Sequence, residues 1–110
     1  MLDKRDSLKG STHVLKNLVN YERGSVVSRT IIDKPSGTVT LFSFDKSEGL
    51  SEHTAPYDAL VINLEGEADV KIEDKNNILK EGDAIIMPAN KPHALKALSQ
   101  FKMLLVMIKT

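Results

Sequence analysis

Two of the three histidines in this chain stand in parallel surroundings. His53 lies near the start of SEHTAPYDALVINLEGE, residues 51–67, and His93 closes GDAIIMPANKPH, residues 82–93. Each run carries a turn glycine, a short apolar segment and one histidine beside a proline-bearing turn. Imidazole changes charge near neutral pH and ligates first-row metals, so a convergent pair has three uses. It can hold a metal ion, move a proton as a general base, or hydrogen-bond a small molecule. Three other residues in the first run bear on the same chemistry: Asn63 offers an amide, Tyr57 a phenol that can close a cavity mouth, and Asp58 a carboxylate. His13 stands apart and reads as a surface or capping histidine. The chain has no cysteine, which excludes disulfides and thiolate chemistry. Ser25, Ser28 and Ser43 have no nucleophile motif around them.

The elements that must position this pair are short and extended. Residues 25–33 are rich in β-branched side chains, as strands prefer. Residues 38–44 alternate Thr or Ser with apolar residues for most of their length, the period of a half-buried strand. Ala68, Val70 and Ile72 alternate with Asp69, Lys71 and Glu73, and Asn76-Asn77 brings turn chemistry. Residues 84–87 and 93–97 are two further short strands. Residues 101–108, FKMLLVMI, are apolar on both faces, as expected of a strand covered twice. Many short strands with turn signals between them predict an all-β sandwich or barrel. Ahead of them, residues 1–9 are mostly charged and predicted to fray. Ser11 or Thr12 then caps a short helical stripe of Val14, Leu15, Leu18 and Val19 that stops by Gly24. One domain follows, an arm over residues 1–24 and a barrel over 25–110. Met87, Met103 and Met107 read as packing residues of its core.

Fifteen basic and fifteen acidic residues give zero formal net charge, so nothing draws the whole chain to nucleic acid or anionic lipid. No apolar run has membrane-spanning length, and MLDKRDSLKG lacks the apolar centre of a signal peptide. A cytoplasmic protein is the expectation. Val26, Val27, Ile31 and Ile32 make an apolar edge strand that a second copy would cover, which predicts a homodimer.

Residues 38–110 resemble the cupin family, small double-stranded β-helix (jelly-roll) barrels. His53 occupies the first histidine slot of the family's first motif, with Gly66 in its closing glycine slot and Glu67 after it. Gly82, Pro88 and His93 match the second motif at the expected spacing. The resemblance implies the cupin barrel, and in typical members one divalent metal held by three histidines and a glutamate. Here Ala55 and Ala59 fill the second histidine and glutamate slots, Asn90 replaces a glycine and Ala97 an asparagine. Gly49 lies two residues closer to His53 than the pattern has it.

Strand alternation says what the lumen contains. With His53 inward, Ala55 also points inward, and Ala59, Val61 and Asn63 share a face. Asp58 then points away, unless a bulge at Pro56-Tyr57 turns it in as a third ligand. Three functions follow. The first is a binding module for a small polar or anionic molecule around His53 and His93, with Asn63 and Tyr57 as further ligand contacts and Lys91 and Lys96 nearby. The second is a metal-dependent enzyme of oxygenase, isomerase or decarboxylase type, using zinc, manganese, iron or nickel on His53, His93 and Asp58. The third is a structural dimer with a vestigial lumen.

Overall fold

A computed structural model of the chain describes residues 5–109. Among these residues nine strands form two sheets. They are β1 (Val26–Lys34), β2 (Gly37–Phe44), β3 (Gly49–His53), β4 (Ala59–Glu65), β5 (Ala68–Ile72), β6 (Lys75–Leu79), β7 (Ala84–Met87), β8 (His93–Ala97) and β9 (Phe101–Ile108). The order is β1-β2-β9-β4-β7 in one sheet and β3-β8-β5-β6 in the other, with every pairing antiparallel. The fold is thus the all-β barrel that the strand spacing predicts, in the jelly-roll form that the resemblance implies. Among the described residues no helix is long and apolar enough to cross a membrane.

The core lies between the sheets, because alternation sends every second side chain of each strand inward. Val61, Val70, Phe44, Phe101, Ala68 and Met103 are buried there. Phe44 stacks between its neighbours, 5.8 Å from Phe42 and 5.6 Å from Phe101 between ring centroids. The outer face of the five-stranded sheet is also apolar. One cross-strand row, Ile32–Val39–Val106–Leu60–Ile86, runs through all five strands without a polar residue.

Three register shifts interrupt the alternation, and each re-aims a side chain. Between Thr30 and Ile32, the shift lets Thr30 face Thr40 at 3.1 Å while Ile32 joins the outer row. A shift between Asn63 and Glu65 sets Glu65 opposite Lys102. Tyr21 donates to Glu65 Oε2 at 2.5 Å, and Lys102 Nζ stands 4.8 Å from the Tyr21 ring centre and 4.0 Å from the same carboxylate oxygen. Burial first, and then the bond to Glu65, raises the Tyr21 pKa far above its ordinary 10.0, so the phenol stays a donor. The third shift, in β3, builds the site described below.

Close approach of neighbouring backbone requires glycine most tightly at Gly49 and Gly66. A Cβ on Gly49 would stand 2.0 Å from Leu95 O, which would push β3 away from β8. Gly66 adopts φ +81° in the β4–β5 turn, and a Cβ there would stand 1.9 Å from Gln100 O.

The short helical segment predicted for the arm is present, in 3-10 form. Only a 3-10 turn forms at Leu15–Leu18, its N-cap is Val14 rather than Ser11 or Thr12, and no side chain caps it. A second 3-10 turn covers Asp6–Leu8, within the segment expected to fray; residues 1–4 lie outside the described residues. The physical reason is competition for carbonyls. Lys102 Nζ donates to Lys16 O at 2.7 Å, Arg29 Nη1 to Leu18 O at 3.0 Å, and Ser43 Oγ to Asn20 O at 2.6 Å. A segment this short gains little from helix propagation, so the sheet's donors win.

Candidate functional site

β3 and β8 bring His53 and His93 together. In β8, His93 and Leu95 point inward two residues apart, and both are buried. In β3, Leu50 pairs with Leu95 and His53 with His93, so three steps of β3 face two steps of β8. A regular strand would turn His53 outward if Leu50 faces in. The bulge restores it to the inner face. The two Nε2 atoms stand 3.1 Å apart, with ring planes at 73° and centroids 4.4 Å apart.

Each ring is fixed at its other nitrogen. His53 Nδ1 lies 2.7 Å from Ser51 O, and His93 Nδ1 lies 3.0 Å from Lys91 O. Both partners are carbonyls two residues upstream, so the strand ends themselves hold the rings. His93 is 4% exposed, whereas His53 stands at the open end. Burial pushes the His93 pKa below its ordinary 6.5, the bond to Lys91 opposes this, and the His53 charge reinforces it.

The pair closes one end of a cavity of about 190 Å³. The remaining wall is apolar: Leu50, Ala55, Ala59, Ala94, Leu95 and Leu105, with the thioethers of Met87, Met103 and Met107. Sequence reasoning assigned those methionines to packing alone. Their spacing gave no other signal, since inward alternation on β9 and the end of β7 suit a core equally well. A wider groove of about 540 Å³ lies between the arm and the far end of β1. Four of its charged groups are engaged with one another: Arg5 with Asp33 at 3.5 Å, and Lys9 with Asp6 at 2.9 Å. His13 there meets Leu8 O at 2.8 Å. The lumen, not this groove, has polar atoms converging on open space.

Three predicted site residues lie elsewhere. Asn63 is fully buried beyond the cavity wall, and its Nδ2 donates to Gly66 O at 2.7 Å and Leu79 O at 3.1 Å. It braces the β4–β5 turn and has no donor left for a ligand. Tyr57 and Asp58 line a separate outer hollow with Pro56, Ala89, Ile108 and Lys109. The Asp58 carboxylate accepts from Ala89 N at 2.8 Å, so no bulge turns it inward. Lys91 pairs with Glu73 at 3.6 Å on the exposed side, and among the described residues no lysine or arginine lines the cavity.

The divalent ion of typical cupins does not fit this set. Among the described residues no group of three or more His, Cys, Asp or Glu side chains is placed to hold a metal. Ala55 and Ala59 occupy the wall where further donors would stand, and Asp58 faces away. Two imidazoles alone make a weak site for such ions.

The family model of the cupin domain matches residues 40–109. Among solved structures, a conserved protein of unknown function from Streptococcus pyogenes is 37% identical with a TM-score of 0.87, over 92% of this chain and 89% of that one. A cupin superfamily protein from Desulfitobacterium hafniense is 28% identical with a TM-score of 0.88, over 93% and 94%. A cupin 2 conserved barrel domain protein from Leptotrichia buccalis is 42% identical with a TM-score of 0.83, over 86% of this chain but 46% of that one. No curated protein matches the chain.

Proposed function

The chain belongs to the cupin family, and on that premise we propose that its lumen is a binding site for a small, largely apolar molecule carrying one polar group. One observation carries the reading. Two imidazole Nε2 atoms converge at 3.1 Å at the end of an otherwise apolar cavity. A volume of 190 Å³ corresponds to roughly six waters and lies below the range of drug-sized pockets. The occupant therefore has a handful of non-hydrogen atoms. Its apolar part meets Leu50, Leu95, Leu105 and the methionines, and its polar group meets the histidines. Because no lysine or arginine among the described residues lines the wall, an anionic group is held only while the histidine pair carries a proton.

A thermal-shift screen of small metabolites tests this. A compound at a hundred times its dissociation constant stabilises the fold by about 2.7 kcal/mol. That raises the midpoint by roughly 10 °C for a domain of this size. The shift disappears in His93→Gln. A screen in which no small compound raises the wild-type midpoint refutes the reading.

A homodimer is part of the same proposal. Ile32, Ile86 and Ile108 are 49%, 61% and 56% exposed, and Ile32 and Ile86 end the apolar row on the outer face. A second copy laid on that face would cover them. Light scattering at micromolar concentration should give twice the monomer mass, and Ile86→Lys should lower it. A monomer mass for the wild type sinks the dimer.

A further inference from the structure

We propose that residues 54–58 form a lid on the lumen, latched shut by two hydrogen bonds to the turn at Ala89 and Asn90. The inference goes beyond what the lumen holds and says how anything enters it.

A cavity walled by paired strands is hard to enter. Among the described residues, every one that lines the lumen lies in β3, β4, β7, β8 or β9 except Ala55. Moving any of those strands breaks a ladder of backbone hydrogen bonds and the core packed behind it. Ala55 sits instead in the link between His53, at the end of β3, and Ala59, at the start of β4. No strand pairing includes this link. It is also thin. Ala55 faces the lumen of about 190 Å³, while Pro56, Tyr57 and Asp58 line the outer hollow of about 340 Å³. A single run of chain separates the two spaces, so displacing it joins them. Thr54, Pro56 and Asp58 are exposed and Ala55 and Tyr57 half-buried, so little apolar packing resists the movement.

Hydrogen bonds to the turn before β8 hold the link in place. Asn90 N donates to Ala55 O at 2.7 Å, and Ala89 N donates to Asp58 Oδ1 at 2.8 Å. Asn90 sits at φ +65°, a conformation that asparagine tolerates, and its turn presents the two neighbouring N–H groups to the link. The Asp58 bond lies at the surface, where water can replace either partner, so opening it costs little. The middle of the link is stiff. Proline fixes its own φ and confines Ala55 to extended backbone. Bending therefore falls to Thr54 and Asp58, and the segment swings as one piece. Asp58 faces the outer hollow, so the latch touches nothing the lumen holds. It governs how fast a molecule exchanges, not how tightly it binds.

The probe is benzene, which an apolar cavity of this size accommodates. Exchange NMR on the methyl groups of Met87, Met103 and Met107, which line the lumen, follows its entry and exit in the full chain. Asp58→Ala removes the latch at an exposed site, and Asp58→Asn keeps an acceptor there. In Asp58→Ala both rates should rise about tenfold, the effect of one ordinary hydrogen bond, with the dissociation constant within about twofold of wild type. Asp58→Asn should keep rates close to wild type. The chain has no cysteine, so the Asp58→Cys, Ala89→Cys double variant can be oxidised to a single disulfide, which should slow exchange at least tenfold until it is reduced. Hydrogen exchange reads the lid without any probe. In Asp58→Ala the Ala89 and Asn90 amides should both exchange about tenfold faster, while those of β4 and β9 keep their wild-type rates. An Asn90 amide that keeps its protection overturns the lid, because the link then does not open as one piece. Benzene rates unchanged in Asp58→Ala, or a change confined to affinity, also overturn it and leave the lumen reading standing. A lumen that admits neither benzene nor any screened metabolite removes both.

Discussion

Replacing Gly66 by alanine, beside the same change at Gly82, separates two physical costs that a single mutation would merge. Both glycines have positive φ, +81° and +88°. An alanine in that region costs about 1–2 kcal/mol, offset by roughly 0.4–1 kcal/mol from the stiffer unfolded chain. At Gly82 nothing lies within 4 Å of the added Cβ, so the backbone term stands alone. Gly82→Ala should therefore lose about 1 kcal/mol. At Gly66 the Cβ falls 1.9 Å from Gln100 O and 2.9 Å from Ser99 Oγ. The nearest obstacle is a carbonyl at the entry to β9, which cannot rotate away as a flexible side chain would. Forced displacement of packed backbone adds about 1–3 kcal/mol. The turn also holds the Asn63 Nδ2 bond to Gly66 O, which is strained by the same movement. Gly66→Ala should thus lose about 2 kcal/mol more than Gly82→Ala, a midpoint difference of roughly 8 °C. Urea denaturation of both variants, with unchanged slopes, gives the comparison. Equal losses would refute the close-approach argument, and a larger loss at Gly82 would refute the geometry of both turns.

Acidification should destabilise the protein through His93. Its folded pKa is depressed by burial, so the unfolded chain binds the proton more readily, and stability is lost as pH falls through the ordinary 6.5 toward the folded value. Urea midpoints at pH 7.5 and 5.5 measure this; His93→Gln should flatten the slope, and a wild-type midpoint that rises on acidification contradicts it. Asp45, held below its ordinary 3.8 first by the Gly24 N–H, acts only in a lower window and does not confuse the reading. Lys102→Met should lose about 1–2 kcal/mol, because it keeps the packed stem but leaves the Lys16 carbonyl without its donor and Glu65 without its cation. Lys102→Ala should lose about 2–4 kcal/mol by calorimetry, and a larger loss in the methionine variant would make the Lys102–Glu65–Tyr21 group a net stabiliser. Asn63→Leu should cost about 2–3 kcal/mol in the same assay by orphaning the Gly66 and Leu79 carbonyls, with His93-dependent binding unchanged.

The strands were legible in the sequence because period-two alternation and turn residues are local signals. Thr38 to Phe44 and Ala68 to Ile72 show both, and the structure places strands there. Gly82 through His93 likewise encodes β7, its proline turn and the start of β8. The bulges were not legible. Nothing in Leu50-Ser51-Glu52-His53 announces that three residues will span two, since the shift is imposed by pairing with β8. Site residues beyond His53 and His93 depended on such details. Asn63 shares the inner face as alternation requires, yet bonds to the Gly66 and Leu79 carbonyls take both of its N–H donors. Asp58 was one residue from a useful position and is held outside by Ala89 N. The arm was legible only in part, for a related reason: its helical turn is there, but its 3-10 form and its cap were not foreseeable. Apolar spacing suggested a helix, but the competing donors on β1, β2 and β9 lie far away in sequence.

Those donors have a consequence for how this protein tolerates change. The sheet grips the arm at the carbonyls of positions 16, 18 and 20, through Lys102, Arg29 and Ser43. A carbonyl is common to every amino acid, proline included, so the grip is blind to which side chains the arm carries. Substitutions along it can accumulate while the seat persists. A single inserted or deleted residue between positions 16 and 20 is different, because it puts a carbonyl out of step with a fixed donor. Drift in the arm is constrained in length and phase far more than in spelling.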